Sequence, residues 1–160
     1  MNLRVTILIL MLVSSGFAIL RSQNPKSYAL VIGVSKYNDP LITSLKHAHK
    51  DAAAFAEFCA SPSGLNISAD RLRILTDEKA SYWNIVDGLD WLKNNAQRDD
   101  HIYIYFAGHG DMESKELKYG YLLAHDSRYL NYLILMPFQT VLPALPYRKA
   151  GRDFLMHITG

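Results

Sequence analysis

Gly108-His109-Gly110-Asp111 is the stretch of this sequence best suited to chemistry. It follows His101-Ile102-Tyr103-Ile104-Tyr105-Phe106-Ala107, a run with the composition of a strand. A histidine just past a strand, between two glycines, belongs at the mouth of a sheet and not in its core. The glycines allow unusual backbone angles and leave room for another chain to approach. Histidine is the side chain that moves protons near neutral pH, so general acid or base work is the chemistry to expect. A turn that merely contains a histidine is the plainer alternative.

The other reactive side chains are less well placed. The chain has one cysteine, Cys59, on a helical stripe with Ala48, Ala52 and Phe55. A free cysteine on such a stripe packs as a small hydrophobe. A reactive thiol needs partial exposure and an electropositive setting, and Phe58 and Ala60 supply neither. Ser35 follows an apolar run, but Tyr37 stands where a Gly-x-Ser-x-Gly elbow needs its second glycine. His47-Ala48-His49 alternates like a metal pair, yet at a helix start the two side chains diverge and no cysteine or paired carboxylate supports them. No metal site is expected. His125-Asp126 reads as a surface pair, and His157 as a strand residue. Asn66-Ile67-Ser68 fits a glycosylation sequon of a kind frequent by chance. Asp51, on position alone, is a helix cap or dipole partner. Trp83 and Trp91 read as core and rim packing. Gly-x-Gly-x-x-Gly is absent at Gly33 and at Gly108, so no dinucleotide or other cofactor is expected.

The elements that must position His109 are legible in order. Tyr28-Ala29-Leu30-Val31-Ile32-Gly33-Val34 is a continuous β-rich run, the pattern of a strand covered on both faces. The Ala48–Cys59 stripe predicts an amphipathic helix, stopped by Ser61-Pro62-Ser63-Gly64. Arg71–Thr76 predicts a second strand. Ser81 predicts an N-cap, with Ile85, Leu89, Leu92 and Ala96 as the next helical stripe, ending near Asn94-Asn95. His101–Ala107 is the third strand. The order β-α-β-α-β, with long crossovers, predicts parallel pairing and a three-layer α/β sandwich with a mostly parallel sheet and right-handed connections. In such a sheet ligands bind beyond the carboxyl ends of the strands, where His109 falls. After a charged loop, Asp111 to Lys118, Tyr119–Leu123 predicts another short strand. Tyr132 to Leu145 has two prolines and reads as a broken helix. Phe154–Thr159 reads as a fourth core strand.

Composition narrows the class further. The chain has 160 residues, net charge +2, 49% apolar and 20% charged residues, which suits one globular domain. One cysteine excludes an internal disulfide framework. The near-neutral charge gives no electrostatic reason to expect nucleic acid. Residues 1 to 22 show Arg4, an apolar run from Val5 and the small residues Gly16 and Ala18, the pattern of a secretory signal peptide. Cleavage after Ala18 fits, and so does cleavage near Ser22. The apolar stretch is about 16 residues, short of the roughly 20 that a membrane span needs, so an uncleaved anchor is the lesser alternative. The expectation is an exported chain, periplasmic or extracellular, with no stable membrane association after cleavage.

Four segments in order resemble the caspase-like cysteine peptidases, peptidase family C14, and specifically their metacaspase-type and bacterial branch. They are Tyr28–Tyr37, Leu45 through Lys50-Asp51-Ala52, Tyr103–Gly110 and Gly120–Asp126. The likeness is clear to about residue 128 and weak from 131 to 160, within a catalytic domain expected over 26–160. It implies a Cys-His dyad acting on peptide or protein substrates. It implies that His109 is the catalytic histidine, that the N–H of Gly110 is an oxyanion donor, and that Asp51 binds a basic side chain before the scissile bond. The family nucleophile follows the fourth strand in an Asp-x-Cys-x-Ser-Gly type segment, and this sequence has none. The expectation is therefore the N-terminal portion of the domain, with its sheet incomplete at the C-terminus, inactive by itself. Two other readings stay open: a non-catalytic caspase-like binding or regulatory module, and a legumain- or gingipain-type peptidase of the same clan. The oligomeric state is not legible.

Overall fold

A strand that is apolar throughout needs a cover on each face, and the computed structural model provides two. It describes residues 24–112, 120–128 and 135–137. Ser27–Gly33 (β1), Leu72–Thr76 (β2) and His101–Ala107 (β3) form one sheet in the order β2-β1-β3, both pairs parallel. Ala48–Ala60 (α1) and Tyr82–Asn95 (α2) are the crossovers. The side-chain alternation of β1 and β3 sorts the core into two layers. Leu30 and Ile32 with Ile102, Ile104 and Phe106 meet Ile85 and Leu92 of α2. Ala29 and Val31 with Tyr105 and Ala107 meet Ala48, Ala52, Ala56 and Cys59 of α1. The helices therefore lie on opposite faces, which is the expected three-layer sandwich.

The α1 face is built from small residues, so the helix comes close to β1. A Cβ added at Gly33 would stand 2.5 Å from the Ala52 Cβ and 2.7 Å from the Ala48 carbonyl oxygen. Ser81 does cap α2, its side chain accepting from Asn84 N–H at 3.4 Å. The Asp126 carboxylate accepts a second amide of that helix start, Tyr82 N–H, at 2.8 Å. Asp99-Asp100 is more than a polar turn. Asp100 is buried and takes the amides of Lys26 (2.7 Å) and Gln97 (2.8 Å), fastening the starts of β1 and β3 together.

A second sheet was not expected from the sequence. Gly110–Met112 (β4), Gly120–Leu123 (β5) and Leu135–Pro137 (β6) pair antiparallel in the order β4-β5-β6. Residues 135–137 thus correct the reading of 132–145 as a broken helix: their backbone finds its partners across the ladder in β5, and Pro137, which has no N–H to give a helix, sits at the strand end. Asp111 likewise belongs to β4 and not to a loop. The signal segment at 1–22 and the strand expected at Phe154–Thr159, with His157, lie outside the described residues. Among the described residues no helix is long and apolar enough to cross a membrane.

Candidate active site

His109 stands where β1 and β3 end side by side. The last rung of the parallel ladder is Val34 N–H to the Ala107 carbonyl, 2.8 Å. Beyond it the two strands part: the chain from β1 runs through residues 34–47 to α1, and the chain from β3 turns through Gly108 and His109 into β4. Such a divergence at the carboxyl edge opens a crevice between the two loops. His109 is partly exposed there.

The histidine is held on three sides. Its Nε2–H donates to the Thr43 carbonyl oxygen at 2.7 Å. A carbonyl only accepts, so this bond places a proton on Nε2, and in the neutral imidazole the lone pair is then on Nδ1. The main-chain N–H of His109 donates to the Tyr37 hydroxyl at 2.8 Å, and the Tyr37 ring lies tilted against the imidazole, centroids 5.4 Å apart. The His109 carbonyl accepts from Leu123 N–H at 3.0 Å. That bond fixes the phase of the antiparallel ladder. Hydrogen-bonded and non-bonded pairs alternate, so Gly110 opposite Leu122 is a non-bonded pair and its N–H faces away from β5.

The loop that carries Tyr37 and Thr43 is itself pinned. Asp77, just past β2, has φ 46°, in the left-handed region that an Asp tolerates better than most residues. One of its carboxylate oxygens accepts two successive amides, Ser35 at 2.8 Å and Lys36 at 3.0 Å. Ser35 is fully buried; its Oγ accepts from the His49 amide at 2.9 Å and shares a hydrogen bond with His49 Nδ1 at 2.7 Å. Ser35 is thus a tie between β1 and α1. Burial also corrects the reading of His125 as a surface residue. It is 8% exposed, and its Nδ1–H donates to the Lys36 carbonyl at 2.7 Å, while Asn38 N–H donates to the His125 carbonyl. Asp126 serves α2 and not its neighbour His125.

Asp51 lies in the first turn of α1, partly buried. Its charge is felt at β3: burial first, then the Asp51 carboxylate, raises the Tyr105 phenol above its ordinary value. Asp51 is one turn before Phe55, whose ring stacks on Tyr105 with centroids 4.5 Å apart, so it lies on the side of α1 that faces the third strand. His47, at the N-cap position, makes no side-chain cap bond. Cys59 has 0% exposure in the α1 layer, and burial pushes its thiol up to about 11. His109 and Gly110 stand together just past the end of β3, and Cys59 is buried in the α1 layer. No group of three metal-ligating side chains occurs among the described residues. Trp83 departs from its expected packing and is 73% exposed. Tyr37 and Asp77 were not read from the sequence as site residues. Their partners lie 72 and about 40 positions away, and the only local sign was a tyrosine that spoiled a serine elbow.

Residues 27–132, more than half of the chain, match the model of the metacaspase, peptidase C14 domain. The chain belongs to the metacaspase peptidase C14 family, a family of cysteine-protease hydrolases. No curated protein matches its sequence. Among solved structures, the crystal structure of protein GSU0716 from Geobacter sulfurreducens is similar in fold, with a TM-score of 0.62 at 16% identity. The match covers 84% of this chain and 50% of that one. The fold is thus caspase-like, and the chain spans half the length of this structural neighbour.

Proposed function

We propose that this chain carries the histidine half of a cysteine endopeptidase site. His109 is the general acid and base, the Gly110 N–H is one oxyanion donor, and the Asp51 carboxylate receives a basic side chain of the peptide before the scissile bond. The observation that carries this reading is the Nε2–H bond to the Thr43 carbonyl. It leaves Nδ1 as the proton acceptor, so the imidazole takes a proton from a thiol at Nδ1 and returns it to the leaving amine. The outward phase of the Gly110 amide supports its part, because that N–H is not consumed by β5 and is free to meet developing negative charge. Asp51 lies in the first turn of α1 and its charge is felt at Tyr105 of β3, which supports a carboxylate near the third strand.

The thiol is the missing partner. The one cysteine of the 160 residues is Cys59, and it is buried in the α1 layer. In the peptidase reading the attacking thiol is one other than Cys59. The 160-residue chain is expected to show no hydrolysis of peptides containing Arg or Lys. Turnover by the purified chain that disappears in His109→Ala would overturn this. In a polypeptide that also supplies the thiol, His109→Ala is expected to abolish cleavage, and Asp51→Asn to raise KM for Arg or Lys substrates far more than it lowers kcat.

The absent thiol also supports a second reading, a non-catalytic module that binds peptides. Isothermal titration separates the two: Asp51-dependent binding of an Arg peptide that persists with no turnover in every longer form of the protein favours the module. The composition of residues 1–22 supports export of either form, and N-terminal sequencing of the secreted protein, with a start at Ile19 or close to Gln23, tests it.

A further inference from the structure

We propose that Tyr37 is a positioning residue for His109, its hydroxyl fixing the histidine main chain so that the imidazole keeps its Nε2–H on the Thr43 carbonyl. The proposal rests on the acid–base reading of His109 given above.

The amide of His109 needs an acceptor. The parallel ladder ends at Ala107, so the amide has no rung to join. The phenol oxygen of Tyr37 takes it instead, at 2.8 Å, and passes its own proton to the Val34 carbonyl at 3.3 Å. One hydroxyl thus links the ends of β1 and β3 at the point where they diverge. The ring alone would not do this. It packs with Ile42, Tyr121 and Leu123 and against the imidazole, contacts that a phenylalanine would reproduce. The hydroxyl is the part whose partners are His109 and the β1 end. Burial pushes the phenol up to about 12, so it remains a neutral donor and acceptor across the range in which a histidine works.

The phenol is also aimed from outside. The residues before it, Ser35 and Lys36, are clamped by Asp77, and the residue after it, Asn38, by the His125 carbonyl. On the other strand, Gly108 leaves no slack: an added Cβ would stand 3.2 Å from the Tyr37 oxygen and 2.9 Å from the Phe106 ring. The loop bearing the acceptor, Thr43, is the same loop that bears Tyr37. Phenol, amide, imidazole and carbonyl therefore close a ring of contacts in which the imidazole orientation depends on the hydroxyl.

The test uses the full chain with nitrogen-15 histidine, and reads the His109 tautomer from two-bond nitrogen–proton correlations in wild type and in Tyr37→Phe. Wild type is expected to hold the Nε2–H tautomer with a slowly exchanging Nε2 proton. Tyr37→Phe is expected to keep its far-ultraviolet circular dichroism and a cooperative melt while the Nδ1–H population rises, by about five- to tenfold for the loss of one hydrogen bond. A folded Tyr37→Phe with unchanged tautomer and exchange overturns the proposal and leaves the acid–base reading intact. A wild-type chain in the Nδ1–H tautomer overturns both. If Tyr37→Phe fails to fold, Asp77→Ala decides, because it releases the loop without touching Tyr37 or His109: a tautomer shift in the same direction supports the proposal, and none overturns it.

Discussion

Cys59 looks, by type, like the nucleophile of a cysteine peptidase, and its surroundings argue otherwise. Its neighbours in the α1 layer are Ala29, Val31, Ala56 and Ile67, and none carries positive charge. A thiol is activated by a cation, a metal or a helix N-terminus, whereas apolar burial favours the neutral form. Burial pushes Cys59 up to about 11 and Tyr37 up to about 12, from ordinary values of 9.0 and 10.0. For both groups the folded value lies above the unfolded one. Their contribution to stability is therefore complete below pH 9 and lost as pH rises through 11 and 12. Chemical denaturation midpoints are expected to hold steady up to about pH 9 and to fall steeply between about pH 9 and 12. Titration with a disulfide reagent at pH 8 is expected to find no reactive thiol in the native chain and one after denaturation. Fast native labelling would contradict the burial on which the assignment of Cys59 rests.

At the scale of elements, the close approach of α1 to β1 and the looser fit of α2 make unequal predictions for two glycines. In Gly33→Ala the new methyl meets Ala52 Cβ at 2.5 Å and a backbone oxygen at 2.7 Å, so the helix itself must move. A loss of about 1–3 kcal/mol is expected. In Gly88→Ala the nearest atoms are the two Leu30 methyls at 2.8 and 3.0 Å, side-chain ends and not backbone, so the crowding is milder. The gain in helix propensity, about 1 kcal/mol, offsets the crowding and leaves stability nearly unchanged. Denaturant melts of both variants check the contrast, and equal losses would contradict it. Asp126→Ala is expected to cost about 0.5–2 kcal/mol, since it strips the amide of Tyr82 of its acceptor at the α2 start. These elements also show what the sequence revealed. β1, β3, α1 and α2 were legible because each has one period or one apolar run, and because Ser81 and Ser61-Pro62-Ser63-Gly64 mark their ends. Of the second sheet only β5 was legible, as the short strand at Tyr119–Leu123; β4 and β6 are three residues long and their order is set by pairing across the chain. The place of His109 just past the third strand was legible from local pattern, whereas Tyr37, Asp77 and Asp100 act through contacts 72, about 40 and 74 positions apart, which no local window contains.

For the whole molecule, the distance between its one thiol and its candidate base decides what it does by itself. α1 starts at the sheet edge where His109 sits: Leu45 N–H reaches the Ser35 carbonyl, and Thr43 holds the imidazole. Cys59 is 11 residues further along the helix than Ala48, which at 1.5 Å per residue places it about 16 Å down the α1 axis. Proton transfer between thiol and imidazole needs contact near 3 Å, or one bridging water. No side-chain rotation spans that gap, and moving the helix would break the layer of small residues that joins α1 to β1. Net charge does not compensate, because at +2 the molecule has no overall field that would gather a basic peptide. The 160-residue chain is thus expected to leave Arg and Lys peptides intact over long incubation, with the same null rate in Cys59→Ala and His109→Ala. A measurable rate that falls in Cys59→Ala would show that α1 moves by a helix length in solution, and the separation of thiol and base described above would have to be abandoned.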